Sequence, residues 1–161
     1  MIRELTHFHG LQIRQQDLGI FLSQSKYAKN LVKNFGLEFT SSVRIPMSPN
    51  VKLTVNLLRK SVDPSLYRSM IGSLLYLIAS RPDISYSMEV CARYQANPKE
   101  SHMTALKRII KYVKTTTNFG VWYNKDTNDV LVRYSDADWV GNIERVHRGV
   151  VFMWVIILSP G

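Results

Sequence analysis

The chain has 161 residues, 45% of them apolar and 20% charged, and a net charge of +9. This is enough apolar material for one domain or two small ones, and the composition excludes a disordered chain. The single cysteine, Cys91, excludes an intramolecular disulfide, and the longest apolar run, residues 149–158, is too short for a bilayer span of roughly 20 residues.

The opening segment "FHGLQIRQQDLGIFLS" reads as a β-hairpin. Phe8, Leu11, Ile13, Ile20 and Leu22 are its apolar positions, and "QQDLG" is the turn. A helix is expected next, in "SQSKYAKNLVKNFG". Its stripe is Tyr27, Ala28, Leu31, Val32 and Phe35, with Ser23 or Ser25 as cap and Gly36 at the left-handed position past its end. Lys26, Lys29 and Lys33 lie off that stripe.

Residues 40–60 show no clean period, and their prolines and small polar residues mark an extended connection. Three helical regions follow. Asp63 caps the first, with Pro64 in its first turn, and Tyr67, Met70, Ile71, Leu74, Leu75 and Ile78 form a broad apolar face. The second begins at Pro82 and presents Ile84, Met88 and Cys91. The third has Asn97 as expected cap and Met103, Leu106, Ile110 and Val113 as its stripe. Beside that stripe Lys107, Lys111 and Lys114 recur at i, i+4 and i+7, with Arg108 further around. Strand character returns in "FGVWYN", "DVLVRYSDAD" and "GVVFMWVIIL". The order of elements gives an α+β class: a short N-terminal hairpin, a helical middle and a broken C-terminal sheet.

The charge is uneven. Residues 1–60 carry nine Lys/Arg against three Asp/Glu, and residues 97–114 carry five against one. Two basic blocks of this kind suit a polyanion, nucleic acid first, although a solvated lysine surface has the same composition. The row Lys107, Lys111 and Lys114 could track a phosphate backbone. His7 and His9 share one face of an extended strand, but metal sites need three or four ligands and no third is near. His102 and His147 have no visible partner in the sequence, and Cys91, on an apolar face, is expected to be buried and inert. Asp136 and Asp138, two apart behind a strand-forming run, could align their carboxylates toward a divalent metal. Only Glu144 follows them, so a full cluster would have to draw acids from elsewhere.

Four blocks taken in order resemble a copia-type retrotransposon polyprotein: "FHGLQIRQQDLGIFLSQSKYAKNLVKNFGL", "YRSMIGSLLYLIASRPDISY", "QANPKESHMTALKRIIKYVK" and "YSDADWVGN". The matching part is the end of the reverse transcriptase and the start of ribonuclease H, over residues 1 to about 141. The resemblance implies a reverse transcriptase end over 1–118, with thumb- and connection-like helices, and a truncated ribonuclease H-like segment over 119–161. It implies a primer-grip-like role for Phe8, Gly10 and Leu11. It assigns template–primer contact to the helices that carry Lys26, Lys29, Lys33, Lys107, Arg108, Lys111 and Lys114. Asp136 would match the first metal-binding carboxylate of ribonuclease H, and Asp138 is the weaker candidate beside it.

The departures matter as much. The Tyr-Val-Asp-Asp type motif of the polymerase is not in this sequence. His9 stands where the family has an aliphatic residue, and Thr115 where it has glycine. After Asn142 the match decays into "IERVHRGVVFMW". The expectation is therefore a degenerate fragment that is no enzyme by itself and at most binds a DNA or RNA duplex without sequence preference. The alternatives are a part acting in trans in an RNA-directed DNA polymerase and ribonuclease H, and a domesticated protein-interaction module. No resident cofactor is expected, though the family uses magnesium. The apolar h-region of a secretory signal is missing from the first 16 residues, which favours cytoplasm or nucleus over secretion, with no membrane contact and the oligomeric state open.

Overall fold

The computed structural model describes residues 6–48, 53–54 and 60–125. Four strands, β1 (His7–Phe8), β2 (Leu11–Gln16), β3 (Gly19–Ser23) and β4 (Gly120–Asn124), form one antiparallel sheet in the order β1-β2-β3-β4. The expected hairpin is β2–β3: Gln16 pairs with Gly19 across the two-residue turn Asp17–Leu18. A second hairpin precedes it. Phe8 pairs with Leu11, which leaves His9 and Gly10 as the turn, at φ 45° and 81°. Two central residues with positive φ match the right-handed twist of the flanking strands. Strand β1 thus ends at Phe8, so His7 and His9 do not lie together on one strand face. Strand β4 pairs with β3 along its whole length, from Gly19 opposite Asn124 to Ser23 opposite Gly120. The last two strand-like runs of the sequence lie outside the described residues.

Helix α1 (Ser25–Asn34) buries Ala28, Leu31 and Val32, as its stripe predicts. Its cap residue is Gln24, with no side-chain cap bond, rather than Ser23 or Ser25. The Gln24 side chain is drawn away to a long-range partner described below. Gly36 takes φ 65° and ends the helix in the left-handed region. Helix α2 (Pro64–Leu77) begins as expected: Asp63 accepts from the Ser65 amide at 2.8 Å, a contact worth about 1 kcal/mol. Of its expected face Tyr67, Met70, Ile71 and Leu74 are buried, while Leu75 is exposed. A 3-10 turn over Pro82–Ile84 leads into α3 (Ser85–Ala92), and α4 (Glu100–Thr115) is the longest helix among the described residues.

The start of α4 differs from the sequence expectation. Its cap position is Lys99, not Asn97, and the Lys99 amide donates to His102 Nδ1 at 3.1 Å. The other ring nitrogen of His102 lies 3.1 Å from the Thr54 carbonyl. Since Nδ1 accepts, Nε2 carries the proton and donates, and the ring is neutral. His102 is fully buried and stacks on Tyr94 at 3.9 Å, so the histidine without visible partners in the sequence is a packed, doubly bonded core residue.

The four helices share one core, with Leu74, Leu77, Ile84, Met88, Leu106, Ile109, Ile110 and Val113 at its centre. Burying each such side chain contributes about 1.5–3 kcal/mol. Cys91 belongs to this core, as expected, and burial pushes its thiol up to about 11. Residues 40–43 and 53–54 of the connection after α1 lie at opposite ends of α4. Thr40 and Val43 accept bonds from Lys114 and Thr115 at the C-terminal end of that helix, and Leu53 and Thr54 accept from Tyr94 and His102 toward its start.

Candidate nucleic-acid interface

On α1, Lys26, Lys29 and Lys33 are all exposed, at i, i+3 and i+7, opposite the buried stripe. The helix contains no acid, so nothing on it neutralises the ridge. The lysines of α4 are less alike. Lys107 is exposed, whereas Lys111 and Lys114 are half-buried. The Lys114 ammonium donates to the Thr40 carbonyl at 2.6 Å, which ties it to the connection. Arg108 and Lys111 line a cleft of about 770 Å³ between α4 and residues 41–48 and 53–54. The row that looked uniform in sequence therefore splits into one open lysine, one in a cleft beside Arg108, and one structural tie.

The primer-grip-like residues lie at the β1–β2 turn. Phe8 is 53% exposed and meets the His9 ring edge-on, with centroids 4.3 Å apart, and Leu11 is half-buried. The turn rests on α2. The Tyr76 hydroxyl donates to the His9 carbonyl at 2.7 Å, and a Cβ on Gly10 would collide with that hydroxyl. Tyr76 also meets Tyr27 edge-on at 4.8 Å, and the Tyr27 hydroxyl donates to the Ser73 carbonyl. One joint thus connects hairpin, α1 and α2.

Sequence reasoning missed two buried polar networks that hold this arrangement. Gln24 and Ser80, both buried, bond at 2.7 Å between the start of α1 and the corner after α2. Arg81, 1% exposed, forms a bidentate pair with Asp83 at 2.8 and 2.7 Å. It also donates to the carbonyl and hydroxyl of Thr116, both at 2.7 Å. The guanidinium lies 5.4 Å from the ring centroids of Tyr112 and Phe119. Tyr112 donates to Asp83 at 2.9 Å, and burial followed by the Asp83 charge pushes its phenol up to about 12. The network fixes where the chain leaves α4 and so aims β4 at β3. The one signal in the sequence is an arginine that lies a few residues past a strongly apolar helix and precedes Pro-Asp.

Asp136 and Asp138 lie outside the described residues. Among the described residues, no group of three or more His, Cys, Asp or Glu is placed to hold a metal ion, and no helix is long and apolar enough to cross a membrane.

The chain is 38% identical over 139 residues to the retrovirus-related Pol polyprotein from transposon RE1 of Arabidopsis thaliana. It is 35% identical over 141 residues to that from transposon RE2 of the same plant. These matches cover 86% and 88% of the chain. The chain is related to the Pol polyproteins of copia-type retrotransposons. It spans about a tenth of the length of those two retrotransposon polyproteins. An uncharacterized mitochondrial protein of Arabidopsis thaliana is similar to the same retrotransposon-related stretch, at 34% identity over 84% of this chain and 56% of its own length. No family model matches the chain, and no solved structure matches it.

Proposed function

We propose that this chain is a retrotransposon-derived segment that holds a nucleic-acid duplex without reading its sequence and does no polymerase chemistry by itself. The observation that carries the reading is the open ridge Lys26, Lys29 and Lys33 on an acid-free helix, in a protein of net charge +9. Ammonium groups spaced along one helix face suit phosphates, which give affinity without base readout. The relatives' Pol names and the order of the sequence blocks support an origin at the end of a reverse transcriptase running into ribonuclease H. The sequence holds no adjacent pair of aspartates, the arrangement with which the polymerase motif named above would bind its metals. Nothing in this reading depends on a metal.

The test is binding of the 161-residue chain to an RNA–DNA hybrid and to duplex DNA at rising salt. Affinity that falls steeply with salt and is similar for unrelated sequences is the expected result. Binding that ignores salt, or none at low salt, overturns the reading. Primer extension above that of a mock-purified control would overturn the statement about chemistry.

A second reading is favoured by the sheet. Cross-strand partners Ile20 and Tyr123 are each 40% exposed on one face, and Phe8 is 53% exposed. An apolar sheet face left open in this way fits a part that packs against other segments of an RNA-directed DNA polymerase and acts with them. Co-expression with the preceding segment of a related Pol polyprotein tests it. A stable heterodimer supports this reading, and separate elution removes it.

A further inference from the structure

The cleft between α4 and residues 41–48 and 53–54 is not explained by duplex binding. Its volume, about 770 Å³, is in the range of small-molecule sites. One wall carries Arg108 and Lys111, and the other carries apolar Met47 and Leu53. The Arg108 Nε is buried and has no hydrogen-bond partner. A buried donor left unpaired costs the full loss of its hydration, more so on a charged group. Lys111 follows at i+3 on the same helix, so the two cations are surface neighbours that repel. The Glu100 carboxylate, also in the lining, is two turns back, about 12 Å along the axis, and among the described residues no ion pair joins it to Arg108. An acceptor is missing where two positive charges meet.

We propose that this cleft binds an organic phosphate monoester of mononucleotide size. Its phosphate sits between Arg108 and Lys111, and its body lies against Met47 and Leu53. The planar fork of arginine matches phosphate oxygens bidentately, and the lysine adds a point charge. The apolar wall separates such a ligand from bare phosphate. The same chemistry is presented by a free nucleotide and by the 5′-phosphorylated end of a nucleic-acid strand.

The experiment is calorimetric titration of the full chain with adenosine monophosphate, inorganic phosphate, and a short oligothymidylate with and without a 5′-phosphate. Saturable binding is expected for the monophosphate or for the phosphorylated oligonucleotide, and whichever binds more tightly identifies the source. Arg108→Gln should weaken it at least tenfold while leaving the melting temperature of the free protein unchanged or higher, because the unpartnered buried Nε of a half-buried arginine is removed. Thr104→Phe, which fills the cleft and keeps both cations, should weaken it as much. No saturable binding of either ligand, or binding untouched by both substitutions, overturns the proposal. Inorganic phosphate binding as tightly as the monophosphate overturns the role of the apolar wall. Loss of duplex binding alone would remove the duplex reading and leave this one standing.

Discussion

Tyr76 donates its hydroxyl to the His9 carbonyl at 2.7 Å, across 67 residues of chain. This bond seats the β1–β2 turn on helix α2, and the collision that a Cβ on Gly10 would suffer is with the same hydroxyl. Tyr76→Phe should cost about 0.5–1 kcal/mol, the net worth of one such bond. Gly10→Ala should cost more: about 1–2 kcal/mol for a side chain at φ 81°, plus the collision. The two should not add, because removing the hydroxyl relieves part of the clash. Urea unfolding of both single variants and the double variant measures this. Additivity within about 0.3 kcal/mol would show that the turn does not rest on Tyr76.

The Arg81–Asp83 pair should behave as a buried ion pair that fails when one half is removed. Asp83→Leu should cost about 3–5 kcal/mol, since it strands the buried Arg81 charge, and Arg81→Leu should cost somewhat less, since Asp83 is partly exposed. The double variant should cost clearly less than the sum. Arg81→Lys should not rescue, because an ammonium cannot span Asp83 and both Thr116 oxygens at once. Thermal unfolding of the four variants checks this, and a stable single variant would contradict the assigned role.

These two relationships also mark the limit of what the sequence made legible. Helix α2 was readable because Asp63, Pro64 and the apolar period are local signals, and α1 was readable through Gly36 and its stripe. The hairpin β2–β3 followed from its short turn. What escaped was held by contacts between distant residues. Gln24 was not foreseen as a cap position because its side chain answers Ser80, 56 residues away. His102 gave no signal because one of its partners, Thr54, lies in a segment without periodicity. The pairing of β4 with β3 depends on Arg81 and Thr116, which no local pattern connects. The lysine row was legible as a spacing. Its division into open and tied members was not, because residues 40–48 run alongside it.

Alkaline pH should destabilise the fold in two steps. Cys91 and Tyr112 are neutral when protonated, and burial raises both, to about 11 and about 12. A raised folded-state value favours the folded protein fully below the unfolded-state value, and the advantage is lost as pH climbs through the folded one. The thiol contribution is therefore lost between about 9 and 11, and the phenol contribution between about 10 and 12. Urea midpoints at stepped pH should fall across this range. Cys91→Ala should remove the lower part of the fall, and Tyr112→Phe should reduce the upper part, which the Tyr27 and Tyr67 phenols, also raised by burial, share. A midpoint that is flat to pH 11 in the parent would contradict both assignments.

The open and tied lysines should separate by mutation. Changing Lys26, Lys29 and Lys33 together to Gln removes charge from a solvent face and should leave the melting temperature nearly unchanged, since exposed substitutions away from special features cost little. It should weaken duplex binding at every salt concentration and lower the slope of log affinity against log salt by up to about 0.9 for each phosphate no longer neutralised. Lys114→Gln is expected to do the reverse. Its ammonium holds the Thr40 carbonyl, so its removal should release residues 40–48 from α4 and lower stability, with little change in the salt slope. Lys107→Gln should group with the α1 lysines if α4 also touches the duplex. Parallel titration and melting of these variants decide between a phosphate-binding ridge and a solvated face. If the triple variant keeps the parent's affinity and slope, the ridge is a solvated face and α1 has no part in holding nucleic acid.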